Sequence, residues 1–119
     1  MLSNMSQMIN VTMYADIIDS NHTEYNFSAW IGGYGSQDDS ATILLRFLNN
    51  NYQIISTQIK LGPVLAINRN YVTKLLFRYQ SGLVPWNTRY LIISVMTTRY
   101  SGSYCDAYVD NISVIFQYI

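Results

Sequence analysis

The stretch SAWIGGYGSQDDS, residues 28–40, shows how this chain is built. It predicts a strand that ends at Gly32 and Gly33, because glycine adopts positive φ without a Cβ clash. A polar loop and the start of the next strand follow. A second stretch, SGSYCDAYVDN at residues 101–111, has a similar mixture of Tyr, Asp, Ser and Gly. Both stretches are predicted to be loops that join β-strands.

Alternation of apolar and polar residues, which indicates half-buried strands, recurs along the chain. In residues 24–31 it places Tyr25, Phe27, Ala29 and Ile31 on one face. Residues 41–48 have apolar residues on both faces, so this strand is expected to be covered on both sides. The predicted strands are residues 8–13, 24–31, 41–48, 53–61, 72–80, 89–98 and 107–117, with a single helical turn at 14–19. Such short, regularly spaced strands predict an all-β antiparallel sandwich or barrel in one domain, residues 1–119.

Two of these strands carry predictions about which residues face the core. In 72–80 the alternation predicts that Leu75, Phe77 and Tyr79 are buried. In 107–117 it puts Tyr108 and Asp110 on the same inward face as Ile112 and Val114.

The charge pattern excludes several partners. Only 12% of the 119 residues are charged, and the net charge is zero. There is no basic stripe to displace counterions from phosphate, so nucleic-acid binding is not expected. No apolar run approaches the roughly 20 residues of a membrane span, so membrane insertion is not expected. The seven basic residues, Arg69 among them, are interpreted as solvated side chains and local ion pairs.

The cysteine and the sequons bear on localisation. Cys105 is the only cysteine and His22 the only histidine, so neither a disulfide framework nor a zinc set is predicted. Cys105 is interpreted as a small, partly buried loop residue. Asn-x-Ser/Thr sequons, which are glycosylation acceptors in secreted proteins, suggest an extracellular protein, although an Asn-rich sequence also forms them by chance. They begin at Asn4, Asn10, Asn21, Asn26 and Asn111. No signal peptide is recognisable at the start of the chain.

Three acidic residues are candidate functional groups. An inward-facing Asp110 needs a cation or hydrogen-bond donors, so it is either a calcium ligand or a cap on backbone N–H groups. Asp38 and Asp39 are adjacent in a loop, where successive side chains diverge, so a solvated loop is favoured over a catalytic pair. No nucleophile–base pair, metal triad or phosphate loop is recognisable, and the protein is not expected to be an enzyme.

Aromatic residues are concentrated in or beside the predicted loops. Sugar rings stack their C–H faces on aromatic planes, and Tyr and Trp also anchor protein interfaces. Some of these residues are alternatively expected to close the ends of the sandwich. They are Tyr34, Trp86, Tyr100, Tyr104 and Tyr108.

The order of the segments SAWIGGYGSQDDSATILLRFLN, LGPV, NR, PWNTR and SGSYCDAYVDNISV resembles the galactose-binding-like jelly-roll superfamily, which includes non-catalytic carbohydrate-binding modules. The resemblance covers roughly residues 7–116. It implies a jelly-roll β-sandwich of seven to eight strands with at most one short helical turn. It also implies a structural Ca²⁺ held partly by Asp110 in VDNIS. The family's Asn-x-x-Phe-Glu-like segment is absent, so the chain is expected to lack the N-terminal strand and to leave a sheet edge unpaired.

The resemblance implies that the ligand lies on the loops at one end of the sandwich. Carried over to this sequence, the ligand-binding residues are Tyr34, Gln37, Asp38, Asp39, Tyr104 and Asp106. The predicted function is an extracellular, non-catalytic module that binds a glycan or glycoprotein and forms a homodimer through the unpaired edge. The alternatives are a structural or adhesive sandwich with a protein partner, a fragment of a larger extracellular protein, and, third, a hydrolase.

Overall fold

The computed structural model describes residues 2–99 and 107–119. Among these residues, no helix is long and apolar enough to cross a membrane. The secondary-structure elements are β1 (Leu2–Asn10), α1 (Ala15–Asp19), β2 (Thr23–Gly33), β3 (Ser40–Leu48), β4 (Ile59–Leu61), β5 (Lys74–Leu83), β6 (Tyr90–Thr98) and β7 (Ala107–Tyr118), with 3₁₀ turns at Thr12–Tyr14 and Ala66–Arg69.

The strands form two antiparallel sheets that pack face to face. One sheet has the order β1-β6-β3-β4 and the other the order β5-β2-β7. The predicted all-β sandwich with one short helical segment is therefore confirmed. The order of the strands had not been predicted, because it depends on pairing between segments that are far apart in sequence.

The core lies between the central strands of the two sheets. On β2, Tyr25, Phe27, Ala29 and Ile31 are buried, as their alternation predicted. On β3 both faces are largely buried, since Leu44 is buried as well as the Ile43 side of the strand. Both central strands are thus buried as their sequences predicted. Each has a clear pattern of apolar residues, and each is paired with a strand on both sides.

Two predicted strands differ most from the structure in their bounds. β1 runs from residue 2 to 10 rather than 8 to 13, because the Asn10 Oδ1 atom accepts hydrogen bonds from the N–H and hydroxyl of Thr12 and turns the chain. The predicted strand 53–61 is reduced to β4 and a single bridge between Ile54 and Leu48. An alternating sequence pattern predicts which side chains share a face of a strand. It does not predict how many backbone groups of the strand form hydrogen bonds with a neighbouring strand.

The prediction that Gly32 and Gly33 end a strand by adopting positive φ is wrong. β2 continues through Gly33, and the loop residue with positive φ is Gly35, at 50°. Gly32 is required for a different reason, because a Cβ at this position would lie 2.0 Å from the carbonyl oxygen of Lys74 on β5. The glycine allows close approach of two strands.

The predicted buried face of β5 is wrong, because Leu75, Phe77 and Tyr79 alternate onto the outer face of the sheet, where Leu75 is half-buried. Phe77 pairs with Trp30 and Tyr79 with Ser28, so both point away from the core, and they are 47% and 65% exposed. Leu76, which pairs with the buried Ile31, faces the core instead. The run Leu75–Phe77 is apolar at every position, so its own pattern does not fix the phase, and pairing with β2 decides it.

The predicted inward position of Asp110 and Tyr108 is also wrong. The register between β2 and β7 shifts between Ser28 and Trp30, and Asn111 has φ of 52°. This bulge adds one residue to β7. Val109 and Val114 therefore both pack on the core, although strict alternation would place an odd-numbered and an even-numbered residue on opposite faces. Tyr108 and Asp110 consequently lie on the exposed outer face.

Candidate functional site

Three aromatic side chains form a platform on the outer face of the three-stranded sheet. Trp30 comes from β2, and Phe77 and Tyr79 come from β5. They are 40%, 47% and 65% exposed. The opposite face of β2 forms the core, so the alternation of the strand directs Trp30 to solvent. We call these three residues the aromatic platform.

The rings of the platform are in contact with one another. The centroids of Trp30 and Phe77 lie 5.3 Å apart with an interplanar angle of 55°, and those of Phe77 and Tyr79 lie 6.1 Å apart at 27°. The spacings are typical of favourable aromatic pairs. A contiguous group of exposed rings on a rigid sheet is more often a binding surface than a solvated one.

Polar groups on β2 and β7 border the platform. Asp110 is the register partner of Trp30, and Ser113 is the register partner of Ser28, so all these side chains share the outer face. Asp110 is exposed, and its Oδ1 atom accepts a 2.9 Å hydrogen bond from the N–H of Asn111. An ionised carboxylate has about four acceptor positions, so this bond leaves Asp110 able to accept more. We call Ser28, Asp110 and Ser113 the polar border.

The loop that follows β2 is organised by Arg69. The Arg69 side chain is fully buried, and its Nη1 atom donates to the carbonyl oxygens of Gly33, Gly35 and Val72 at 3.0, 3.0 and 2.6 Å. Its Nη2 atom donates to the carbonyl of Gln37 at 2.9 Å. The interpretation of Arg69 as a solvated residue is therefore wrong. Its carbonyl partners stabilise the buried guanidinium and hold the loop in one conformation.

The three predicted ligand-binding residues Gln37, Asp38 and Asp39 of this loop differ in their exposure and contacts. The Oδ1 atom of Asp38 accepts the N–H of Ala66 at 3.0 Å and so caps the second 3₁₀ turn. Asp39 is fully buried and is not accessible to a ligand from solvent. The Oε1 atom of Gln37 is buried and has no hydrogen-bond partner in the described part of the chain. The loop is thus a folded support, and among these three only Asp38 is exposed.

The other predicted loop residues divide into two groups. Tyr34 is 53% exposed and lies just after β2, so it remains available to a ligand. Tyr104 and Asp106, and also Tyr100 and Cys105, lie outside the described residues.

Calcium at Asp110 stays a prediction, but the inward position that motivated it is wrong. Calcium takes six to eight oxygen ligands. Within residues 2–99 and 107–119, no group of three or more His, Cys, Asp or Glu side chains is placed to hold a metal ion. The exposed position of Asp110 suits hydrogen bonding to a ligand.

Sequence reasoning missed the platform because its residues are distant in sequence. The alternation in β2 placed Trp30 opposite the core, which was a usable signal. Recognising Phe77 and Tyr79 required knowing which face of β5 points to solvent. Only the pairing of Phe77 with Trp30 shows this. Loop composition drew attention to residues 34–39 instead.

No protein-family model matches the sequence, and no curated protein matches it. Its relationships are therefore seen in the structure alone.

Several solved structures are similar to the whole chain. The enzymatically active domain of bacteriophage CBA120 tailspike protein 4 has a TM-score of 0.64 at 15% identity, over 99% of this chain and 14% of that one. A family 16 carbohydrate-binding module has a TM-score of 0.58 at 14% identity, over 97% and 70%. The C-terminal family 22 carbohydrate-binding module of Clostridium thermocellum Xyn10B has a TM-score of 0.54 at 12% identity, over 90% and 60%.

The present chain thus spans about one seventh of the tailspike chain and more than half of each module chain. At such low identity the likeness concerns the fold and not the binding residues. The chain has the jelly-roll type of β-sandwich found in these carbohydrate-binding modules.

Proposed function

We propose that the protein is a non-catalytic glycan-binding module and that the aromatic platform is its binding surface. The observation that carries the proposal is the contact between the exposed rings of Trp30, Phe77 and Tyr79 beside the carboxylate of Asp110. Sugar rings stack their C–H faces on such planes. The carboxylate accepts hydrogen bonds from sugar hydroxyls, and the serine hydroxyls of the polar border donate or accept them.

The arrangement of acidic residues on this face supports binding rather than hydrolysis. A glycosidase of the usual kind places two carboxyl groups about 5 to 10 Å apart across the bond that it cleaves. Glu24 and Asp110 share the outer face, but Glu24 lies six residues from Trp30 along β2. That is a separation of about 20 Å along a strand. Among the described residues of this face, the two carboxyl groups are too far apart for such a mechanism.

The two carbohydrate-binding modules with the same fold support the proposal at the level of architecture. The sequons are consistent with an extracellular setting, since Asn4, Asn10, Asn21 and Asn111 are exposed and Asn26 is half-buried. The exposed loop residue Tyr34 is an alternative ligand contact at the end of β2.

A glycan array tests the proposal and identifies the sugar. The folded protein should bind at least one class of glycan, and Trp30→Ala should weaken that binding by about tenfold or more, since loss of a stacked ring at a binding surface commonly costs over 1 kcal/mol. Trp86→Ala is the matched control, because Trp86 is a 61% exposed tryptophan outside the sheets. It should bind as the unmodified protein does.

Two results would count against this site. Folded protein that binds no glycan would remove the proposed function. Binding that survives Trp30→Ala and is lost in Tyr34→Ala would move the site to the loop after β2.

A further inference from the structure

The sandwich is open along one side, between the edge strands β1 and β7. Two adjoining cavities of about 480 and 300 Å³ lie there, and they share Ile9 and Val114. The first is lined mainly by apolar side chains from both sheets, and Met5 at its rim is 72% exposed. We call the two cavities together the lateral groove. Residues Ile93, Val95 and Val114, which pack on the core, are only half-buried there.

The strands beside the groove have edges that lack a pairing strand. Within the described residues, β1 pairs with β6 alone and β7 with β2 alone. Natural proteins protect such edges with charges, proline, bulges or very short strands. β1 has nine residues, LSNMSQMIN, without a charge or a proline. Within the part of the chain that the structure describes, this edge therefore lacks these protections.

The two edges on the other side of the sandwich are protected. β4 is only three residues long and carries Lys60. β5 carries Lys74 and Arg78. The contrast indicates that the β1 edge is kept open for pairing and that the β4 and β5 edges are not.

The sequence of β1 is complementary to itself. Its groove side presents Met5, Gln7 and Ile9. In an antiparallel pair of two β1 strands with Gln7 opposite Gln7, each Met5 lies opposite Ile9 of the partner subunit. All of these side chains then share one face, because residues with the same parity point the same way. The added strand continues the four-stranded sheet over the groove, where its Met5 and Ile9 meet the side chains of β7.

We propose that two copies of this chain pair through their β1 strands and close the lateral groove. The arrangement is isologous, so each copy both covers and is covered, and the pair leaves no free β1 edge. β1 carries no charged residue, so pairing two β1 strands brings no like charges of these strands together. This inference does not rest on the proposed glycan binding, because Trp30 is on the outer face of the other sheet.

Sedimentation velocity at a series of protein concentrations tests the dimer. The unmodified protein should sediment as a dimer at the higher concentrations. Met5→Lys places a charge in the groove side of the edge and should be monomeric wherever the unmodified protein is dimeric. Met13→Lys is the matched control, since Met13 is 77% exposed and lies outside β1, and it should remain dimeric.

Gln7→Lys is the second variant, and it should also be monomeric because two like charges would face each other. Thermal melts should show that both variants are folded, as exposed positions tolerate such changes. Unmodified protein that is monomeric at every concentration would overturn the proposal, and so would folded Met5→Lys and Gln7→Lys proteins that remain dimeric. Glycan binding by a monomeric Met5→Lys variant would show that the proposed glycan binding does not depend on the dimer.

Discussion

At the scale of single residues, Arg69 has the largest structural role that the sequence did not reveal. It was one of seven dispersed basic residues, and nothing in the spacing of AINRN indicates that a loop 32 to 36 residues earlier folds over it. The same applies to Asp38, whose bond to Ala66 joins segments 28 residues apart. By contrast, the exposure of Tyr34 follows from its place in a polar loop. Local patterns therefore identified the loop, and long-range contacts decided which of its residues are exposed.

Replacing Arg69 tests this role. Arg69→Ala removes hydrogen bonds to four carbonyl oxygens, one in a buried bond and three in partly buried ones, so we expect a loss of about 3 kcal/mol or more in the free energy of unfolding. Urea denaturation measures it. Arg46→Ala is the control, because Arg46 makes an exposed 3.3 Å bond to Gln58 and its loss should cost less than about 1 kcal/mol. Equal stability of the two variants would contradict the structural role of Arg69.

At the scale of elements, a prediction of the buried face was correct only where the sequence pattern of the strand itself determined which side chains point to the core. β2 and β3 were predicted closely because their apolar residues alternate or fill both faces. β5 failed because Leu75–Phe77 is uniformly apolar, and β7 failed because the bulge at Asn111 shifts the alternation. Neither cause is visible locally, since both depend on pairing with β2. The platform was missed for the same reason.

The end of α1 is joined to the start of β6 by an ion pair. Asp19 accepts hydrogen bonds from Arg89 Nη2 at 2.6 Å and Nη1 at 3.2 Å, and from the N–H of Asn87 at 2.9 Å. The bond from Arg89, followed by that from Asn87, holds the pKa of Asp19 below its ordinary value of 3.8, although burial opposes this. Because the folded pKa is lowered, the stabilisation is present above the ordinary pKa and is lost as the pH falls through the folded pKa.

Asp19→Asn should therefore be less stable than the unmodified protein by about 1 kcal/mol at pH 7, a modest value because the side chains are partly exposed. The difference should shrink as the pH falls below about 4. Urea titrations from pH 7 to pH 3 measure it. A difference that is constant over this range would show that the charge on Asp19 does not contribute.

At the scale of the whole molecule, composition and strand spacing predicted the all-β sandwich, and the two sheets confirm it. The location of a binding surface was not predictable in this way, because the sandwich presents several surfaces of similar composition. It became identifiable once strand order placed Trp30 between β5 and β7. Which side of the sandwich is open likewise depends on strand order.

Asp110 distinguishes a metal site from a glycan site. We expect the melting temperature to be the same in calcium and in chelator, because within residues 2–99 and 107–119 no other His, Cys, Asp or Glu side chains join Asp110 in a group of three or more that could hold a metal ion. Asp110→Asn should weaken glycan binding without changing the melt. A melting temperature that rises with calcium in the unmodified protein, and not in Asp110→Asn, would establish the calcium site instead.

The most direct test of the central claim uses tryptophan fluorescence, because the chain has only Trp30 and Trp86. In Trp86→Phe, the remaining fluorescence comes from Trp30 on the platform. A glycan that binds the protein should shift this emission and protect it from acrylamide quenching. In Trp30→Phe, where Trp86 is the reporter, the same glycan should leave emission and quenching unchanged. Calorimetric binding of the glycan to Trp86→Phe without any change in its fluorescence would contradict the claim that the aromatic platform is the binding surface.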